Sequence, residues 1–434
     1  MRITFIGTGY VGLVSGVMMS HVGHDVICLD LDKEKIQILK GKKTPIFEPG
    51  LNEYIDKYAN TERLSFVHGY DSLIKDSECV FITVGTPPKN DGDADLSGIF
   101  AAVAEVCKYV SHHCVIVIKS TVPPGTCLAI QAFIINNGFG NVVVSNPEFL
   151  REGCAINDFL QPDRIVIGTP SLEALHTMHA VYAPMINDGI AIVETDLTTS
   201  ELIKYASNTF LANKIAFINE MADLCEIVGA DITMLARGVG LDKRIGESFL
   251  KAGPGFGGSC FPKDILALQK LSQKVDSDSL VLDAVIQANS NRPNAMIKKI
   301  ISAIGGTITG KKLAILGLTY KAETDDLRSS PAVDLIHKLQ ELDVRVVAYD
   351  PEGMVNVPKY FEKLECAHSM MEAIKDADAI IIATEWEEFK AMDLIKVKAL
   401  LRFPIIIDLR NILDTNQLEL NGFKYYSVGR KSGK

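Results

Sequence analysis

The chain has 434 residues, of which 47% are hydrophobic and 23% charged, with a formal net charge of −10. That length exceeds one ordinary domain, and the composition excludes a disordered chain in favour of a globular enzyme-like protein. The negative balance excludes broad contact with nucleic acid or an anionic membrane, so a phosphorylated ligand needs a local pocket of positive charge. Nine cysteines without a CxxC pair predict reduced thiols and a cytosolic setting. The N-terminus enters a strand at once, without the features of a signal peptide, and no apolar run approaches the roughly 18 residues of a membrane span. No histidine spacing suits a metal; the adjacent His112 and His113 point apart on any regular element.

In chain order, short apolar runs at 3–6, 25–29, 80–84, 115–118 and 142–144 predict buried strands separated by helical text. This alternation predicts a parallel sheet wrapped by helices. Gly7-Thr8-Gly9-Tyr10-Val11-Gly12 follows the first strand and opens a helix, and the second strand ends in Asp30. In that context the glycines let the backbone approach a pyrophosphate at a helix N-terminus, and Asp30 suits a ribose hydroxyl while repelling a 2′-phosphate. NAD is therefore expected rather than NADP. Thr86, Thr121 and Glu148 follow the next three strands, at the edge where ligands of such sheets collect.

From Thr198 to about Val228 apolar residues recur at three- and four-residue steps, with no Pro or Gly, and predict one long helix. Thr198 and Glu201 suggest a capping box, and Gly229 a stop. Lys204 and Asn208 fall one turn apart on a shared face. Helical text continues to roughly Asn291. Within it, Gly253, Gly255, Gly257 and Gly258 lead into Ser259-Cys260-Phe261-Pro262-Lys263-Asp264. A cation near a thiol favours the nucleophilic thiolate, so Cys260 is either catalytic or a structural cysteine in a Gly-rich loop. Strand and helix text returns at 312–316, 331–341, 344–349, 376–384 and 404–408, echoing the first strands of the chain. The expected fold is α/β: two doubly wound Rossmann-like domains, 1–195 and 308–430, joined by a helical middle, 196–295, whose long helix would build a homodimer. Arg244, Lys321, Arg328 and Arg410 are candidates for pyrophosphate binding.

The ordered motifs at 7–12, 45–51 (Pro-Ile-Phe-Glu-Pro-Gly-Leu), 120–125, 146–153, 204–208, 255–264 and 317–321 resemble the UDP-glucose/GDP-mannose dehydrogenase family along almost the whole chain. The resemblance implies oxidation of a nucleotide sugar, UDP-glucose ahead of GDP-mannose, to the uronate with two NAD consumed. It implies that Cys260 is the covalent nucleophile and Glu148 the base for hydrolysis. Thr121 and Asp264 would position a water, and Lys204 and Asn208 would hold the sugar and developing oxyanions. NAD would meet Gly7, Gly9, Tyr10, Val11, Gly12, Asp30, Lys35, Thr86, Thr121, Glu152, Lys263 and Arg328. The sugar nucleotide would meet Glu148, Phe149, Leu150, Arg151 and Glu152. It would also meet Phe249, Leu250, Lys251, Ala252, Gly253, Gly257 and Lys321, with Arg410 and, across a subunit boundary, Arg244. The C-terminal domain, which lacks GxGxxG, would hold the uridine side. From another functional class, a non-catalytic sensor of NAD or nucleotide sugars is the alternative, and the Cys260 segment speaks against it.

Overall fold

The computed structural model describes residues 1–59 and 61–431. The chain divides into two compact units, Met1–Ser207 with Leu266–Asp276, and Asn208–Ile265 with Ser277–Lys434.

The first unit is built on eight strands: β1 (Arg2–Ile6), β2 (Asp25–Asp30), β3 (Leu64–His68), β4 (Cys79–Ile82), β5 (Val115–Ile118), β6 (Val143–Ser145), β7 (Ile165–Gly168) and β8 (Ile192–Thr195). Their order is β3-β2-β1-β4-β5-β6-β7-β8, parallel throughout except where β6 meets β7. The period of two along each strand sends alternate side chains to opposite faces. Ile3, Phe5, Cys79, Phe81, Val115 and Val117 enter one apolar core, and Ile6, Val80, Ile82, Ile116 and Ile118 enter the other. Both faces are covered, which is why β4 and β5 are unbroken apolar runs. Phe5 and Phe81, paired across β1 and β4, stack with centroids 4.7 Å apart.

The second unit holds a six-stranded parallel sheet: β9 (Lys312–Leu316), β10 (Arg345–Tyr349), β11 (Glu365–Cys366), β12 (Ala379–Ile382), β13 (Ile405–Asp408) and β14 (Lys424–Ser427), in the order β11-β10-β9-β12-β13-β14. This repeats the order of the first six strands of the other sheet, so the echo expected from the sequence is architectural. One face packs on Ile218, Ala222 and Cys225 of the long helix and on Met296 and Ile300 of the helix Leu280–Ile304. Strands β3, β7, β8, β11 and β14 lie where the sequence pattern gave no strand. Several are short or half-exposed, so their apolar signal is weak.

Two local expectations are corrected. The long helix runs Leu197–Val228 and ends at Gly229, whose φ is +81°, but Thr198 and Glu201 form no capping box. Asp196 accepts the Thr199 N–H at 2.8 Å and caps the helix. Glu201 is buried and accepts the Gly125 and Cys127 N–H groups, each at 2.6 Å, at the start of the helix Thr126–Asn136. A carboxylate serves an N-terminus better than a mid-helix turn, where no backbone donor is open. Nor does helical text stop near Asn291: the helix Leu280–Ile304 carries Pro293 in its interior. Proline there costs about 3 kcal/mol, which burial of Met296, Ile297, Ile300 and Ala303 beyond it outweighs. Among the described residues no helix is long and apolar enough to cross a membrane.

Candidate functional site

In the first unit the sheet order reverses between β1 and β4, the place where a doubly wound sheet opens a crevice. Gly7 turns the chain there with φ +98°, its N–H held by the Leu29 carbonyl at 2.7 Å. A Cβ on Gly12 would stand 2.0 Å from the Gly7 carbonyl oxygen, so helix and turn touch through bare backbone. A Cβ on Gly9 would meet nothing within 4 Å, which leaves the helix N-terminus open to a pyrophosphate. One Asp30 oxygen accepts the Thr8 N–H and hydroxyl, both at 2.7 Å, and the other accepts the Asp32 N–H at 2.9 Å. Burial pushes the Asp30 carboxyl up, but these hydrogen bonds and the Lys35 charge outweigh it and hold the group below the usual Asp value. The half-exposed anion fits the ribose of NAD. Val11 is also half-buried. Thr86 donates to the Thr121 carbonyl at 3.0 Å, tying the loops after β4 and β5 together.

The loop after β6 carries Glu148. Its carboxylate is buried, accepts the Leu150 N–H at 2.5 Å, and faces the Lys204 ammonium at 3.2 Å. The Phe149 ring has the Arg164 guanidinium 3.4 Å from its centroid and Lys204 at 5.2 Å. Arg151 turns instead to Asp158, with Nη2 and Nε at 2.5 and 2.9 Å. Glu152 is buried. At the end of the loop, Glu48 accepts the Gly153 and Ala155 N–H groups, both at 2.7 Å, together with the Tyr10 hydroxyl. Burial first, then Glu48, pushes the Tyr10 phenol far up. Sequence reasoning quoted Glu48 only as part of a motif and missed Arg164 and Lys119. The signal for Lys119 is its place beside Ser120 and Thr121 at the end of an apolar strand.

In the second unit, Cys260 immediately precedes the helix Phe261–Lys274, and its carbonyl accepts the Asp264 N–H at 3.0 Å. The Ser259 hydroxyl lies 3.6 Å from its sulfur. Asp264 is buried and binds Asn208 Nδ2 at 2.6 Å and Lys263 Nζ at 2.5 Å. The Lys263 charge is thereby matched, so what the loop offers a thiolate is above all the helix N-terminus. Backbone contacts clamp the loop. The Gly258 N–H donates to the Arg328 carbonyl at 2.9 Å. Gly253 donates to Asn219 Oδ1 at 2.8 Å and accepts from Arg292 Nε at 3.0 Å. Phe256 anchors it among Ala212, Ala216, Ile265 and Val285.

The expected substrate run 249–253 is mixed. Leu250 and Ala252 are buried in the core and can offer a ligand only backbone, Lys251 is exposed, and Phe249 takes φ +65°. Of the cationic candidates, Arg244 pairs with Asp242 at 2.6 Å on the surface and Arg328 with Asp326 at 2.7 Å. Arg410 donates to the Ala383 and Tyr320 carbonyls at 2.8 Å, at the carboxyl end of the second sheet. Lys321 lies 5.6 Å from the Tyr320 ring centroid. Asp350 is the counterpart of Asp30, but it is buried and saturated by the Leu318, Thr319, Glu352 and Gly353 N–H groups, the Thr319 hydroxyl and the Trp386 indole. The second sheet thus keeps the plan of a dinucleotide domain while closing its ribose position.

Comparison with known proteins matches residues 1–186, 198–291 and 314–415 to the NAD-binding, central and UDP-binding domains of the UDP-glucose/GDP-mannose dehydrogenase family. A UDP-glucose 6-dehydrogenase of Rickettsia felis is 52% identical over 433 residues, covering 99% of this chain and 97% of that protein. One from Rhizobium meliloti is 49% identical, covering 99% and 100%. The structure of a UDP-glucose dehydrogenase from Pyrobaculum islandicum superposes with a TM-score of 0.91 at 33% identity, covering 99% and 98%.

Proposed function

The chain belongs to the UDP-glucose/GDP-mannose dehydrogenase family, and from that we propose that it oxidises UDP-glucose to UDP-glucuronate through a thioester on Cys260. It is an NAD-dependent oxidoreductase. The observation that carries the route beyond a simple alcohol oxidation is Cys260 at a helix N-terminus, with Asp264 buried one turn on and bound to Asn208 and Lys263.

NAD, when bound, accepts the hydride in each of two oxidations. Residues 7–12, Asp30, Lys35, Thr86, Glu152, Lys263 and Arg328 would hold it. The C6 hydroxyl gives up its proton through a water positioned by Thr121, Lys204 and Asp264. The Cys260 sulfur then adds to the aldehyde carbon, trapping it as a thiohemiacetal. After the second oxidation the carbon is a thioester. Glu148 takes a proton from water, whose oxygen adds to the carbonyl as the sulfur leaves as thiolate. Lys204 and Asn208 stabilise the oxyanion as it develops.

Residues 1–195 serve NAD and 308–430 the uridine diphosphate side, a division supported by the half-exposed Asp30 against the sealed Asp350. Phe210, Phe217 and Leu224, at seven-residue steps on the long helix, are 64%, 48% and 49% exposed, which supports a homodimer with this stripe covered. Nine thiols without a disulfide suit the cytosol. The experiment is NADH formed per UDP-glucose consumed, for wild type and Cys260→Ala. Two per sugar, lost in the variant, is expected. One in both would make this a two-electron alcohol dehydrogenase, and none with UDP-glucose but two with GDP-mannose would change the substrate.

A further inference from the structure

That mechanism leaves one buried cation of the first unit unused. Lys119 follows β5, its N–H donating to the Ile82 carbonyl at 3.0 Å, and the residue is only 5% exposed. Its ammonium donates to Asn146 Oδ1 at 3.2 Å and to the Tyr182 hydroxyl at 3.5 Å. Asn146 Oδ1 also accepts the Tyr182 hydroxyl at 2.6 Å, and Asn146 Nδ2 donates to the Val166 carbonyl at 2.8 Å. Every group in this cage is neutral. A buried lysine ordinarily pairs with a carboxylate or threads its ammonium to water. Lys119 is enclosed instead, and among the described residues no carboxylate lies within ion-pair distance of it.

Asn146 is two residues before Glu148, and the cage closes beneath that loop. The charged groups acting on Lys119 are Glu148, which favours its protonation, and Lys204 on the long helix, which opposes it. The other ionisable groups packed there are the Tyr182 phenol and the buried Cys79 thiol behind it, both pushed up by burial; both are neutral at working pH. Glu148 is therefore flanked by two lysines, one at 3.2 Å and one enclosed behind its loop.

We infer that Lys119 is a positioning residue for Glu148: through Asn146 it fixes the 146–150 loop that carries the carboxylate, and its enclosed ammonium is a second positive charge behind that loop. Burial lowers the Lys119 ammonium to about 8, a shift that Glu148 partly offsets, so the charge is present at neutral pH and below. This inference rests on the base role proposed for Glu148. If it holds, removing the charge moves the acid limb of kcat up.

The test is kcat against pH from 5 to 9 on the full-length enzyme, with Lys119→Met, Lys119→Gln and Lys119→Arg. Met keeps the stem; Gln still donates to Asn146 and serves if Met does not fold. The acid limb is expected to rise by about one pH unit in both neutral variants and to stay in place in Lys119→Arg. An unmoved limb in a folded neutral variant, or an equal loss of activity at every pH in all three, would reduce Lys119 to a packing element and overturn the inference. Glu148→Gln separates the two claims. It should lose the acid limb and most turnover; wild-type turnover there would overturn the base itself, whatever the Lys119 variants do.

Discussion

Asn208 Nδ2 sits 2.6 Å from Asp264 Oδ2, and the carboxylate it binds is 1% exposed. A charge-assisted bond of this kind fixes both partners in a dry setting. Asp264→Asn should lower kcat by about 10²- to 10³-fold while KM for UDP-glucose changes little, since what is lost acts on developing charge. Asn208→Asp places two carboxylates at one site, and one of them must then hold a proton. Its activity should be lower than wild type at pH 8 and recover as pH falls toward 6, the reverse of the wild-type trend. Steady-state kinetics at both pH values decide the matter.

Asp30 governs the choice of dinucleotide. Its carboxyl is held below the usual Asp value, so it is ionised at every pH where the enzyme works. Preference for NAD over NADP should therefore be flat from pH 6 to 9. Asp30→Asn should weaken that preference by at least tenfold by removing repulsion of the 2′-phosphate. The carboxylate also receives the Thr8 N–H. A depressed carboxyl stabilises the fold above its unfolded value and loses that contribution as pH falls through its folded value. The variant should thus melt below wild type at pH 7, and the gap should narrow toward pH 3.

The doubly wound sheets were legible because buried parallel strands are apolar on both faces and carry their turns at fixed places, as residues 3–7 and 312–317 do. The edge strands were not: β8 is half-exposed and β11 has two exposed residues, so neither leaves an apolar signature. Within the candidate site, Cys260 and Asp30 stood out through their glycines. Lys119 and Glu48 did not, because a buried charge in a sequence looks like a solvated one until its neighbours from distant strands are known. Glu201 shows the same limit: three residues after a threonine it mimics a cap, and only the fold reveals that its partners are Gly125 and Cys127.

Glu48 links the dinucleotide turn, through Tyr10, to the end of the loop that carries Glu148 and Glu152. Glu48→Ala strands the buried Ala155 N–H and leaves the Gly153 N–H only the Tyr10 hydroxyl at 2.9 Å, at about 1–3 kcal/mol for the unmet donor. Its thermal midpoint should fall by several degrees, and KM should rise for both NAD and UDP-glucose. Tyr10→Phe leaves the Glu48 bonds to those two N–H groups in place, so its midpoint should fall less while KM for NAD still rises. Calorimetry with two-substrate kinetics distinguishes this from a purely local helix cap, for which Tyr10→Phe would leave both KM values untouched.

Gly257 is where the cysteine loop lies against the segment that leads into the helix Pro331–Glu341. A Cβ there would stand 2.1 Å from the Ser329 carbonyl oxygen, on a residue whose own φ is +48°. Neither backbone can yield cheaply, since Gly258 next door is bound to the Arg328 carbonyl at 2.9 Å and Ser329 already holds a conformation that costs about 1 kcal/mol or more. Gly257→Ala should therefore push the loop off its seat, at about 1–3 kcal/mol of overpacking. Because the displaced segment ends at Cys260, the first hydride transfer should survive better than the second, and the NADH yield per sugar should fall from two toward one with aldehyde released. An aldehyde trap added to single-turnover reactions would detect it; a variant that keeps two NADH per sugar would show that the clamp does not position the thiol.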